Sequence, residues 1–402
     1  MTERVATKNK ARSLAVQLAC AVSTIGLGQS AFVALVPLIA AFTGLGTAEI
    51  GMAAAAGAIA FVLGAPVLGS LGGRFDHGMT LHMLGLVVLA GQLILAGLVW
   101  AGPVAPLLGL AALITSRLIY GFGASGVTPV AQSWVLRLAS PHERRSVLAL
   151  ISAGLGAGRI IGSAAAMTAS LAAPLPFLML VLSPMSLLLM PARAATRGRQ
   201  EGNQSSRVMP FDGRVRPFLA IGFLLSMGFG QVHITLGPLL QASFGISAQA
   251  ATTATGLLLT LTAATMILVQ IFLMPRLGLG QRKSVVIGAS LVALGALIVA
   301  TGGTYALAAV GLTMGGVGMA LASPSYLAWL VSRIAAGEQG SATGWLASTH
   351  VLGQGAGALL GGYLFTIAPL LPLVSCACVA ALVAVTALAM TSDRREPSQS
   401  LE

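Results

Sequence analysis

Two arginines interrupt long apolar runs. Arg117 lies between residues 107–114 and 118–130, and Arg159 lies between 146–158 and 160–171. A guanidinium at bilayer depth costs about 3 kcal/mol on insertion scales, so it is expected to meet a wet cavity or a partner. All ten acidic residues (Glu3, Glu49, Asp76, Glu143, Glu201, Asp212, Glu338, Asp393, Glu396 and Glu402) fall in expected loops, ends or tails. Buried cations without buried anions point to a bound anion, for which the bidentate guanidinium fork suits a carboxylate. The bland alternative is that both arginines hydrogen-bond carbonyls and glutamines of neighbouring helices. His233 and His350 are the only histidines at depth, and an imidazole titrates near physiological pH. With no embedded Asp or Glu, these two are the candidate proton carriers, against the reading that each is a neutral, hydrogen-bonded side chain.

These residues must be held by membrane-spanning helices. Of 402 residues, 56% are hydrophobic and only 8% charged, whereas a water-soluble domain carries about 25% charged residues. Apolar runs of about 20 residues predict an all-α integral membrane protein with about twelve spans. They fall near 14–40, 49–70, 81–101, 105–136, 146–170, 174–191, 217–243, 248–274, 284–302, 304–334, 341–366 and 369–391. The 50 glycines suit close helix packing, because lipid supplies no hydrophobic drive between helices.

The net charge of +12 does not indicate nucleic acid. Alternating the spans places 20 of the 22 Lys and Arg on the side that holds both termini, and the other two are Arg117 and Arg159. The positive-inside rule makes that side cytoplasmic. Cys20, Cys376 and Cys378 all lie in apolar spans and form neither a metal pattern nor an expected disulfide. The polar start followed by a long apolar run does not read as a cleavable signal. No nucleotide motif, metal cluster or nucleophilic triad is present in the sequence. The expectation is therefore no enzyme, no cofactor and no metal.

The chain repeats itself. Gly26-Leu-Gly-Gln29 recurs as Gly228-Phe-Gly-Gln231, which predicts that Gln29 and Gln231 face each other across a cavity, or pair with neighbouring helices. Gly121, Gly123, Pro129, Trp134, Glu143 and Ser146 recur 195 residues later as Gly316, Gly318, Pro324, Trp329, Glu338 and Ser341. Gly154, Gly156, Gly158 and Gly162 recur as Gly353, Gly355, Gly357 and Gly361. The predicted layout is an N-terminal half over 1–192, a basic cytoplasmic linker over 193–216, a C-terminal half over 217–391 and a tail over 392–402. Such parallel repeats are typical of transporters that rock one half against the other. Pro129, Pro324, Pro37 and Pro238 are expected kink sites. Trp134 and Trp329 read as interface anchors or a gate.

Over essentially its whole length the chain resembles the major facilitator superfamily. The loop Gly69-Ser-Leu-Gly-Gly-Arg74-Phe-Asp76-His-Gly78 is similar to that family's gating signature, keeping Gly69 and Arg74, with Gly73 where an acidic residue is usual and Asp76 in place of a glycine. The stretch Arg117-Leu-Ile-Tyr-Gly121-Phe-Gly123 is similar to the arginine motif of the proton-coupled branch, and implies proton coupling for Arg117. Gly154 to Gly162 resembles the glycine-rich antiporter motif, with Arg159 where that motif has proline. The resemblance implies a cavity lined by the first, fourth, seventh and tenth helices, with Arg117 on or beside it; Tyr326, on the tenth span, is a further candidate substrate contact. The reading that follows is a monomeric secondary transporter of the bacterial inner membrane, exporting an anionic compound such as a siderophore in exchange for protons. Its alternatives are efflux of neutral drugs, uptake of an organic anion by symport, and a non-transporting receptor or scaffold.

Overall fold

Helices account for nearly all of the computed structural model, which describes residues 2–71, 76–140, 142–191 and 208–390. The first span is broken into α1 (Thr2–Ala34) and α2 (Val36–Thr43). Next come α3 (Thr47–Leu71), α4 (His77–Ala101), α5 (Pro106–Leu138) and α6 (Arg144–Ala166), the last continued by a 3₁₀ turn over Met167–Ser170. The sixth span is split into α7 (Leu175–Leu182) and α8 (Met185–Leu188), with Pro184 just before α8, where a missing N–H does no harm.

The second half opens with α9 (Arg216–Phe244). The eighth span is α10 (Ala248–Leu268), a π-helical turn and α11 (Met274–Leu277). It is followed by α12 (Gln281–Ala300), α13 (Tyr305–Val331), α14 (Gln339–Ile367) and α15 (Leu371–Ala389). Among the described residues, ten helices are long and apolar enough to cross a membrane. The helix pair over Leu175–Leu188 is shorter, and α14 is long but carries a more polar sequence that includes Thr349, His350 and Gln354. The expected prolines act unequally. Helices α5, α9 and α13 run on through Pro129, Pro238 and Pro324, whereas the first span breaks at Leu35, two residues before Pro37.

Glycine sets the spacing within each half. A Cβ on Gly154, Gly158 or Gly162 of α6 would overlap the carbonyl oxygens of Ala19, Ser23 and Leu27 on α1. In the second half, a Cβ on Gly353 or Gly357 of α14 would run into the carbonyls of Phe223 and Met227 on α9, and one on Gly361 would meet Gln231. These helix pairs therefore touch main chain to main chain, as small-residue membrane interfaces allow.

The halves meet toward the face away from the termini. A side chain at Gly51 would strike Ala358, one at Gly362 would strike Thr47, and one at Gly256 would strike Ser163 and Ala166. At the opposite end, Gly340 and Gly344 of α14 have nothing within 4 Å of an added Cβ. The contacts at Gly51, Gly256 and Gly362 thus join the two halves on the face away from the termini.

Of the expected linker, residues 192–207 lie outside the described residues, as do 391–402 of the expected tail. The stretch from Val208 to the start of α9 is docked onto α14. Trp345 Nε1 donates to the Val208 carbonyl at 3.1 Å, and the Val208 amide donates to Ser341 Oγ at 3.0 Å. Arg214 bridges Asp212 at 2.8 Å and Glu338 at 3.0 Å. Hydrogen bonds from Arg214 hold both carboxyl groups below the usual carboxylate range, and the two carboxylates in turn raise Arg214.

Two outcomes follow. Gly158→Ala drives α1 from α6 and lowers stability by about 1–3 kcal/mol, whereas Gly156→Ala, with nothing within 4 Å, is tolerated; thermal unfolding of the two variants checks this. The Arg214 tether is exposed and screened, so its contribution is small. Depressed carboxyl pKa values stabilise above the unfolded value of about 4 and lose that stabilisation as pH falls through the folded value. Arg214→Ala therefore lowers the melting temperature near neutral pH, and the difference from the unsubstituted protein closes as pH falls through the depressed folded values.

Candidate functional site

A cavity lies between the halves. Its walls come from α1 (Gln29, Phe32), α3 (Gly57, Phe61), α5 (Arg117, Tyr120), α9 (His233) and α14 (Gln354). The tenth span, α13, contributes nothing to this lining, and the second and eleventh spans contribute instead. The expectation of first, fourth, seventh and tenth helices is corrected accordingly. The cause is the direct packing of α3 on α14 across the midline, which places both along the cavity.

Arg117 is only 3% exposed. Its Nη2 donates to Gln92 Oε1 and to Ser116 Oγ, both at 3.1 Å, and Nε reaches Ser116 Oγ at 3.4 Å. Ser116 Oγ itself donates to the Gly91 carbonyl at 2.8 Å, which fixes the hydroxyl. The guanidinium carbon lies 4.5 Å from the Phe32 ring centroid and 4.8 Å from that of Tyr120. Desolvated cation–π contacts of this kind are worth about 2 kcal/mol or more. Tyr120 is held in turn by its hydroxyl, which donates to the Ile25 carbonyl at 3.0 Å. All of these partners are neutral. Among the described residues neither Arg117 nor Arg159 forms an ion pair with a carboxylate.

Arg159 is exposed although it sits mid-way along α6 with protein around it, and so it faces open space. It is outside the lining of the central cavity, but lies within electrostatic reach of Tyr120, His233 and His350. His233 is half-buried, lines the cavity and lies against Phe229 with ring centroids 3.9 Å apart. His350 is half-buried away from the cavity lining, its Nε2 2.6 Å from the Tyr326 hydroxyl.

Several expected site residues stand elsewhere. Tyr326 is fully buried beside His350 and away from the lining. Gln29 does line the cavity, but Gln231 is fully buried outside the lining, and neither of its amide atoms has a hydrogen-bond partner. The physical reason is helix register. Gly162 meets Leu27 while Gly361 meets Gln231, and Gly26 meets Leu155 while Gly230 meets Gln354. Packing thus equates Gln231 with Leu27 and His233 with Gln29, two residues off the pairing that the glycine–glutamine motif suggests.

Trp134 and Trp329 are buried within their own halves, beside His77 and edge-on to Phe218 respectively, and neither lines the cavity. Asp76 caps α4, accepting from the Gly78 amide at 2.9 Å. Gly69 lies near the end of α3, and Arg74 lies outside the described residues. Sequence reasoning missed Gln92, Ser116, Phe32 and Gln354. Gln92 is a lone amide in the third span, and Gln354 interrupts the glycine repeat where Leu155 stands in the first half, so both left a trace.

An orphaned buried amide costs about 1–3 kcal/mol. Gln231→Leu, which restores the residue type found at position 27, is expected to raise the melting temperature without changing ligand affinity. Thermal unfolding and ligand titration of the purified variant measure both.

Comparison with known proteins agrees with this architecture. No curated protein sequence matches the chain. A bacterial homologue of the human lysosomal transporter Spinster, solved inward-facing and occupied, superimposes with a TM-score of 0.72 at 14% identity, covering 96% of this chain and 99% of that one. The nucleoside transporter NupG gives 0.69 at 13% identity, covering 94% and 96%. The human organic anion transporter MFSD10 gives 0.65 at 17% identity, covering 94% and 99%. At these identities the likeness carries the fold and not the cargo. The family model described as Major Facilitator Superfamily matches residues 18–274 and again 219–402. With both halves matched and the twelve-helix layout in place, the chain belongs to the Major Facilitator Superfamily.

Proposed function

We propose that the protein is a secondary transporter of a small organic anion, carboxylate-bearing in the simplest case, exported from the bacterial cytoplasm in exchange for protons. The observation that carries this reading is the Arg117 guanidinium on the cavity wall, 3% exposed, gripped by neutral groups and lacking a protein counter-ion. Arg159 adds a second positive charge at depth. Among the described residues no acidic side chain lines the cavity, so a cationic cargo would find no partner there. A carboxylate supplies the charge that Arg117 lacks, in the bidentate geometry its fork favours.

The basic side of the protein is read as cytoplasmic, on the positive-inside rule. Export rests on the similarity of the α6 glycine motif to that of antiporters. His233, on the cavity wall, and His350, bonded to Tyr326, are the proton carriers in this scheme, because the spans offer no carboxylate for that role. The unit is proposed to work as a monomer, with the halves over 1–192 and 217–391 rocking about the cavity.

Titration of purified protein with carboxylates and their matched primary amides tests the cargo class. Hydrogen bonds to charged groups contribute about 1.5–3 kcal/mol, so Arg117→Ala should weaken carboxylate binding about tenfold or more. Amide binding should change little, and Arg117→Lys should recover only part of the loss. Equal affinity for acids and amides, unchanged in Arg117→Ala, would instead indicate a neutral cargo. Everted vesicles under an imposed pH gradient separate export from uptake.

A further inference from the structure

A second, smaller cavity lies inside the C-terminal half and shares His233 with the central one. Its walls are apolar apart from His233 and Thr262. Its position follows from the repeat. The 195-residue offset that relates Gly121 to Gly316 pairs Ser116 with Gly311, Arg117 with Leu312 and Tyr120 with Gly315. Packing confirms the pairing: a Cβ on Gly91 would meet Ser116 and Tyr120, and one on Gly295 would meet Gly311 and Gly315. Gln92 thereby corresponds to Ala296.

In the first half, the guanidinium, the Tyr120 ring and the Gln92 amide fill this niche. In the second half, Leu312, Gly315 and Ala296 stand in their places and line the void. Gly315 has nothing within 4 Å of an added Cβ, so the space is open where its counterpart carries a phenol ring. The partition between the two cavities is the His233 imidazole, resting against Phe229.

We infer that this emptied niche is an apolar subsite of the transport cavity, and that the cargo is an amphiphilic anion whose charged end meets Arg117 while an uncharged hydrocarbon or aryl arm passes His233 into the C-terminal half. The inference rests on the anion reading proposed above and adds the second chemical feature of the molecule. Continuity with the cargo cavity through a shared side chain selects the arm of that cargo as the occupant.

The test uses the purified full chain and isothermal titration with acetate, phenylacetate and phenylbutanoate, together with the neutral phenylbutanol. Each buried methylene gains about fourfold in affinity, the equivalent of about 0.8 kcal/mol. Phenylbutanoate should therefore bind well over tenfold more tightly than acetate. Gly315→Leu should cut that ratio by about tenfold, and Gly315→Ala, which takes up less space and disturbs folding less, should cut it by a smaller factor. A ratio unchanged in both variants, while each melts like the unsubstituted protein, overturns the inference, as does a ratio near one in the unsubstituted protein. Phenylbutanol binding that Gly315→Leu weakens while Arg117→Ala leaves acetate binding unchanged supports the apolar subsite but overturns the anion at Arg117. The two failures thus read differently.

Discussion

Two helices can approach until their main chains touch only where neither carries a side chain. That constraint fixes the α1–α6 and α9–α14 pairs, through Gly154, Gly158 and Gly162 in one half and Gly353, Gly357 and Gly361 in the other. Lipid is as apolar as the helices, so the attraction comes from dispersion between closely fitted backbones. Once a glycine is seated under a particular carbonyl, the rotation of the partner helix is set. Gln29 and His233 then line the cavity, while Leu27 and Gln231 are turned into the helix interface. The polar lining is therefore a consequence of where the side chains are missing.

The two halves share this frame and diverge in what fills it. The first half spends its niche on a cation, held by two neutral oxygens and two aromatic faces. Neutral acceptors and ring quadrupoles offset part of the desolvation of the guanidinium without cancelling its charge. The second half leaves the equivalent volume empty and apolar. A duplicated scaffold has acquired a positive end and a greasy end, and the cavity between them touches both.

The sequence carried the helix layout well because the spans are long, separated by short polar breaks and unmixed with other structure. Predicted and observed bounds of α5 differ by one or two residues at either end. The site was legible where a charge interrupted an apolar run, as at Arg117, and where a histidine did so, as at His233. It was not legible where it depended on register. The Gly-x-Gly-Gln motif occurs in both halves, and nothing along the chain reveals that its second copy is shifted two residues relative to the packing glycines. Tyr326 was misplaced for a related reason: the tenth span turns its tyrosine toward His350, inside its own half. The partners of Arg117 come from α1 and α4 as well as its own helix, and only the folded chain brings Phe32 and Gln92 to it.

The polarity of α14 bears on how the chain is made. This helix borders the cavity, and its threonines, histidine and glutamine leave it short of the hydropathy of the ten clearly apolar spans. It emerges from the ribosome after α9 and α3, the two helices against which it packs. Its polar side chains are then received by helices already made, so the order of synthesis assists where composition is weakest. The lining of the central cavity is complete once that helix docks.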